Sequence, residues 1–121
     1  MATLTRTTQA INGNTNFGAA DASMVAVAAS DQVTNLDGRT FLLISNQGGS
    51  TDTVTITAQN TTQYSAAGVP LTASNISVAI ATTERRLLGP FSPSVYNDAN
   101  GNIQIAHSFT TSVKVTALYV P

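Results

Sequence analysis

The chain has 121 residues and no cysteine, a length that suits one domain and a composition that excludes disulfides and thiolate metal ligation. Charged residues make up 9% against a usual share of about 25%, and the formal net charge is -1. The cations Arg6, Arg39, Arg85, Arg86 and Lys114 form no basic patch, which argues against binding nucleic acid by neutralising phosphates.

Residues 2–8 alternate and are polar, predicting a strand and no apolar leader. Residues 10–20 carry no clear period and read as a loop or flexible arm, with Ile11 and Phe17 as its apolar, partner-binding anchors. A strand is expected near 23–29; its apolar stretch, Met24 to Ala29, is far too short to span a bilayer. Asp37-Gly38 signals a turn before a strand over 40–46. In that strand Phe41-Leu42-Leu43-Ile44 is apolar on both faces, which predicts a central strand covered on both sides. Asn46-Gln47-Gly48-Gly49-Ser50 reads as a hairpin loop leading to a strand over 52–58, where Val54-Thr55-Ile56-Thr57 alternates.

Residues 59–72 read as a long connection, with Tyr64, Pro70 and Leu71 as anchors. Alternation resumes at Ile76-Ser77-Val78-Ala79-Ile80, predicting a strand over 75–81, and a short strand follows over 85–88. Gly89-Pro90 and Pro93 then break the chain. Asn100-Gly101 fits a tight turn into a strand over 102–107, and the last strand covers 112–119. β-branched residues fit these half-buried pleats. The expected architecture is all-β: an antiparallel β-sandwich, jelly-roll-like or Ig-like, of about eight short strands. It divides into an N-terminal strand and arm over 1–20 and a sandwich over 21–121. The expected core holds Phe41, Leu43, Val54, Ile56, Ile76, Val78, Ile80, Ile103, Ile105, Val113 and Val115, with Leu88, Phe91 and Tyr96 closing one end.

The search for chemistry returns no catalytic residue, metal ligand set or cofactor site. His107, the single histidine, lies in an alternating run with no nucleophile-elbow pattern around any serine, and reads as a strand-face residue. One His without Cys is too little for zinc. Most of the carboxylates Asp21, Asp31, Asp37, Asp52, Glu84 and Asp98 sit near turns, where Asp hydrogen-bonds its own backbone. Counted from Asp98, a calcium loop would need Gly sixth and Glu twelfth, yet Ile103 and Phe109 stand there. The chain also lacks the Trp often found in sugar clefts. No enzymatic activity and no small-molecule substrate are expected. Few charges remain to blunt sheet edges, and strand faces of Thr, Ser, Ala and Asn are cheap to desolvate, which points to docking or self-association.

Three segments carry a resemblance: Asp37-Gly38-Arg39-Thr40-Phe41-Leu42-Leu43-Ile44-Ser45-Asn46 with Thr53-Val54-Thr55-Ile56; Leu88-Gly89-Pro90-Phe91 with Val95-Tyr96-Asn97; and Thr111-Ser112-Val113-Lys114-Val115-Thr116-Ala117-Leu118. In this order, over roughly residues 35 to 120, the chain resembles short bacteriophage virion proteins of the capsid decoration (cement) and minor head type. The resemblance implies a structural protein that docks on the major capsid protein and reinforces the shell. A homo-oligomer, with a trimer favoured, and a location on the virion after synthesis in the host cytoplasm follow from it. No membrane partner is expected. The alternatives are a carbohydrate- or receptor-binding module of a tail fibre or adhesin, marked by an exposed cluster of Tyr64, Tyr96 and Tyr119, and a tail or neck subunit.

Overall fold

Period-2 apolar stripes cannot be buried by one sheet alone, so two sheets must stack their striped faces. A computed structural model of the chain, describing residues 2–10, 24–60, 62–64 and 66–120, has this arrangement. The strands are β1 (Ala2–Leu4), β2 (Arg6–Ala10), β3 (Val25–Ala26), β4 (Ser30–Thr34), β5 (Thr40–Asn46) and β6 (Asp52–Ile56). They continue as β7 (Thr62–Tyr64), β8 (Pro70–Thr72), β9 (Ile76–Ile80) and β10 (Arg85–Leu88). A single helical turn, α1 (Pro93–Tyr96), precedes β11 (Asn102–His107) and β12 (Val113–Tyr119).

The first sheet has the order β1-β4-β11-β6-β9, and the second β10-β5-β12-β2, with β3 beside β2 on the same edge of β12. Pairing is antiparallel except where the N-terminal strands join: β1 runs parallel to β4 and β2 parallel to β12. The expected all-β sandwich is therefore correct, with more and shorter strands than the alternation suggested. The predicted 2–8 strand is two strands, because at Thr5 the chain leaves the first sheet for the second.

Three expectations are corrected. The 46–50 segment is not a hairpin loop, since β5 and β6 lie in different sheets and the chain arches across the end of the sandwich. Asn46, fully buried, makes that arch possible: its Nδ2 donates to the carbonyls of Ser50 (2.8 Å) and Ile80 (2.9 Å), and its Oδ1 accepts from Gly48 N–H (3.0 Å). Gly48 passes so close to the Thr111 carbonyl and the Phe109 ring that a Cβ would overlap both. Second, the 59–72 connection contains its own two-stranded hairpin, β7–β8, paired with neither main sheet. Third, among the described residues 24–29 of the strand predicted over 23–29 only Val25–Ala26 are strand, and β4 follows where no strand is expected.

The core between the sheets gathers Val33, Leu42, Ile44, Val54, Ile56, Ile80, Leu88, Phe91, Ile103, Ile105, Val113 and Val115, all buried. Ile76 and Val78, on the outermost strand, pack against it only half-buried. Phe91 meets Tyr96 edge-on with ring centroids 6.5 Å apart, closing one end as expected. The same end is tied by a reciprocal amide pair: Asn35 Nδ2 donates to Asn97 Oδ1, and Asn97 Nδ2 to the Asn35 carbonyl, each at 2.9 Å. Phe41 and Leu43 do not join this core. They belong with Leu118 and Met24 to a second cluster on the opposite face of β5, so the strand that is apolar on both faces is covered on both.

Candidate functional site

Side chains alternate across a strand, so each sheet has an inner face and an outer one. On the first sheet the outward positions are Thr3 of β1; Ser30, Gln32 and Thr34 of β4; Asn102, Gln104 and Ala106 of β11; Thr53 and Thr55 of β6; and Ser77 and Ala79 of β9. None of these is ionisable. The expectation of an uncharged face of Thr, Ser, Ala and amide side chains holds for this sheet.

The face is also internally ordered. Gln104 Nε2 donates to Gln32 Oε1 (3.0 Å), and Gln32 Nε2 donates to Thr3 Oγ1 (2.9 Å), so a ladder of side chains crosses β11, β4 and β1. At its end Gln104 Nε2 also donates to Asp98 Oδ2 (2.7 Å). Asp98 itself closes the turn before β11, accepting from Asn102 N–H (3.0 Å) and Asn100 N–H (2.8 Å). The Asn102 bond, followed by those from Gln104 and Asn100, outweighs partial desolvation and holds the Asp98 carboxyl below its ordinary value. The turn reading of this segment stands. Side chains already tied to one another lose little further freedom when a partner covers them.

Beneath this face lies a polar group that sequence reading missed. His107 Nδ1 is 2.7 Å from Asp52 Oδ2, and its Nε2 is 3.8 Å from Asp31 Oδ2, with all three side chains fully buried. All three come from inward positions: Asp31 shares the face of Val33, Asp52 that of Val54 and Ile56, and His107 that of Ile103 and Ile105. The backbone N–H groups of Ala28 and Phe109 donate to Asp31 Oδ2 and Asp52 Oδ1, each at 3.2 Å. His107 is thus a strand-face residue as expected, but on the buried inward face, and Asp31 and Asp52 lie in strands rather than turns. The two carboxylates approach opposite ring nitrogens, so their oxygens do not converge on one point. The cluster is closed to solvent and presents no atom to a bound molecule.

Where the chain switches sheets, a recess of about 360 Å³ opens between residues 3–6, Val25 and residues 115–117. Its one cation is already engaged: Arg6 Nη1 contacts both Asp37 oxygens at 2.9 and 3.0 Å, and the guanidinium lies 5.2 Å from the centre of the Tyr119 ring. Asp37 feels opposing effects: slight burial raises its carboxyl, but hydrogen bonds from Arg39 N–H and Arg6, with the Arg6 charge, hold it below the ordinary value.

Ile11 and Phe17, the expected arm anchors, lie outside the described residues. Tyr96 donates its hydroxyl to the Ser74 carbonyl (3.2 Å) while Tyr119 sits under Arg6, so these two tyrosines serve separate structural contacts. No helix among the described residues is long and apolar enough to cross a membrane. Comparison with family models, with curated proteins and with solved structures returned no match.

Proposed function

We propose that this chain is a structural virion protein that docks on the outer surface of a phage capsid and reinforces it, with the outer face of the first sheet as the docking face. The observation that carries the reading is that face: eleven outward positions on five strands without an ionisable group, pre-tied by the Gln104–Gln32–Thr3 ladder. Burying neutral hydroxyl and amide groups that can be re-paired costs far less than burying a charge. The resemblance of residues 35–120 to capsid decoration proteins supplies the partner, the major capsid protein. A shell repeats its sites, so a homo-oligomer, a trimer in this reading, gains from effective concentration once one subunit is seated. Ile11 and Phe17 serve as apolar anchors on a neighbouring subunit. The protein acts without a cofactor and without catalysis.

Co-sedimentation with empty capsids tests this. Ala106→Lys, at the exposed outward position nearest the middle of the sheet, should cut occupancy at least tenfold, whereas Leu87→Lys on the second sheet should leave it unchanged. Equal occupancy for all three proteins would refute the docking face. The arm is tested by Ile11→Ser and Phe17→Ser rather than by deleting the N-terminal segment, since deletion would remove β1 and β2 from both sheets.

A further inference from the structure

We infer that β9 is a self-pairing edge: two copies of this chain join through it, antiparallel and about a two-fold axis at Val78, so that their first sheets merge into one. β9 ends the first sheet, and among the described residues no strand pairs on its outer side. The direction of its free backbone groups follows from the ladder beside it. Ser108 N–H donates to the Thr53 carbonyl (3.2 Å) and Thr57 N–H to the Gln104 carbonyl (3.1 Å), so Thr53, Thr55 and Thr57 turn their backbone groups towards β11. Asp52, Val54 and Ile56 therefore turn theirs towards β9, where they meet Ile80, Val78 and Ile76. That leaves the N–H and C=O groups of Ser77 and Ala79 directed outward, beyond the sheet.

Two-fold pairing at Val78 sets Ser77 of each copy opposite Ala79 of the other, and such a pair exchanges both of its hydrogen bonds. Every outward group of both strands is then satisfied. The occupant is a second copy because Ile76-Ser77-Val78-Ala79-Ile80 has the same character read in either direction. Ile76 meets Ile80 of the other copy on the inner face, where Ile76 and Val78 are only half-buried, and Val78 meets its own counterpart. No charge is brought against a like charge.

The other outer strands of the main sheets, among the described residues, carry devices against such pairing. β1 is three residues long and β3 two, while β2 carries Arg6 and β10 carries Arg85 and Arg86. β9 has five residues in unbroken register with β6, with neither charge nor proline. A contact of one such strand lies at the weak end of interfaces, under about 1,200 Å² in total, so it forms where copies are crowded together. It adds to the trimer of the capsid reading, joining trimers edge to edge. It is tested on the isolated protein, so its failure leaves that reading intact.

Because the chain has no native thiol, oxidation of concentrated single-cysteine variants by glutathione disulfide reads the pairing. Val78→Cys stands where the two-fold-related Cα atoms lie about 4.5 Å apart, within disulfide reach. It should form covalent dimer at least tenfold faster than Leu87→Cys, an exposed position on the second sheet. Val78 is half-buried, so a second measurement uses two exposed positions. Ser77→Cys mixed with Ala79→Cys should give the mixed dimer at least tenfold faster than either variant dimerises alone, whereas chance collision gives similar rates. Ser77→Pro added to Val78→Cys removes an outward N–H, leaves the β6 ladder whole, and should bring dimerisation down to the Leu87→Cys rate. A folded Val78→Cys no faster than Leu87→Cys, or a mixed dimer no faster than the single variants, overturns the inference.

Discussion

The outer faces of the two sheets are built on opposite principles. The first sheet turns eleven small or amide-bearing neutral positions outward, several hydrogen-bonded to each other. The second carries an apolar cluster, with Leu118 fully buried, Leu43 at 7% exposure and Thr116 at 3%, and with Arg85, Leu87 and Lys114 at its exposed positions. One sandwich therefore holds an outer face that contributes to stability and another that is spare. Stability lost by substitution should concentrate in the second sheet and the interior; binding lost without stability should concentrate in the first.

The largest effect expected is from Leu118→Asp, which buries an unpaired charge and should abolish cooperative unfolding, while Gln104→Asp on the first sheet should still melt as a single transition. Both are read by thermal denaturation followed by circular dichroism. Next comes Leu43→Ala, which removes part of the outer cluster and should cost about 2–4 kcal/mol by urea titration. Thr55→Ala, on the opposite outer face, should stay within about 0.5 kcal/mol. If the two cost the same, the contrast between the faces fails. Gln32→Ala, in the middle of the ladder, should cost about 1 kcal/mol.

Much of this division was legible in the residues, for reasons that also explain the misses. Val54 with Ile56, Ile103 with Ile105 and Val113 with Val115 announce inward stripes because nothing polar interrupts them. The doubly apolar Phe41–Ile44 announces a strand covered on both faces, as the two clusters on either side of β5 bear out. β4 is hidden in the sequence because one of its two inward positions is Asp31, so Ser30-Asp31-Gln32-Val33-Thr34 reads as polar turn text. The sequence over 46–50 reads as a hairpin because five residues can join neighbours in one sheet or cross to another; the buried Asn46 amide decides, and its partners at Ser50 and Ile80 are set by tertiary structure. His107 and Asp52 carried a usable signal in their parity, since each continues an inward apolar stripe. Their separation of 55 residues hid that they meet.

The smallest effect lies on the acid side. Asp98 anchors the ladder through Gln104, and hydrogen bonds hold its carboxyl below the ordinary value of 3.8. A depressed carboxyl contributes stability that is present above its unfolded value and lost as pH falls through its folded one. Thermal scans from pH 5 down to pH 2.5 should therefore show a melting temperature that declines less for Asp98→Asn than for the wild type. Identical acid limbs would remove Asp98 from the ordering of the first sheet.

The division of labour between the faces can be read at single positions, because the chain has no native thiol to interfere. Ala106→Cys and Leu87→Cys place one thiol on each outer face, and maleimide labelling rates are compared with and without empty capsids. The account predicts that capsids slow labelling at position 106 at least tenfold and leave position 87 untouched. Protection at 87 with 106 still open, or protection at neither, would contradict it.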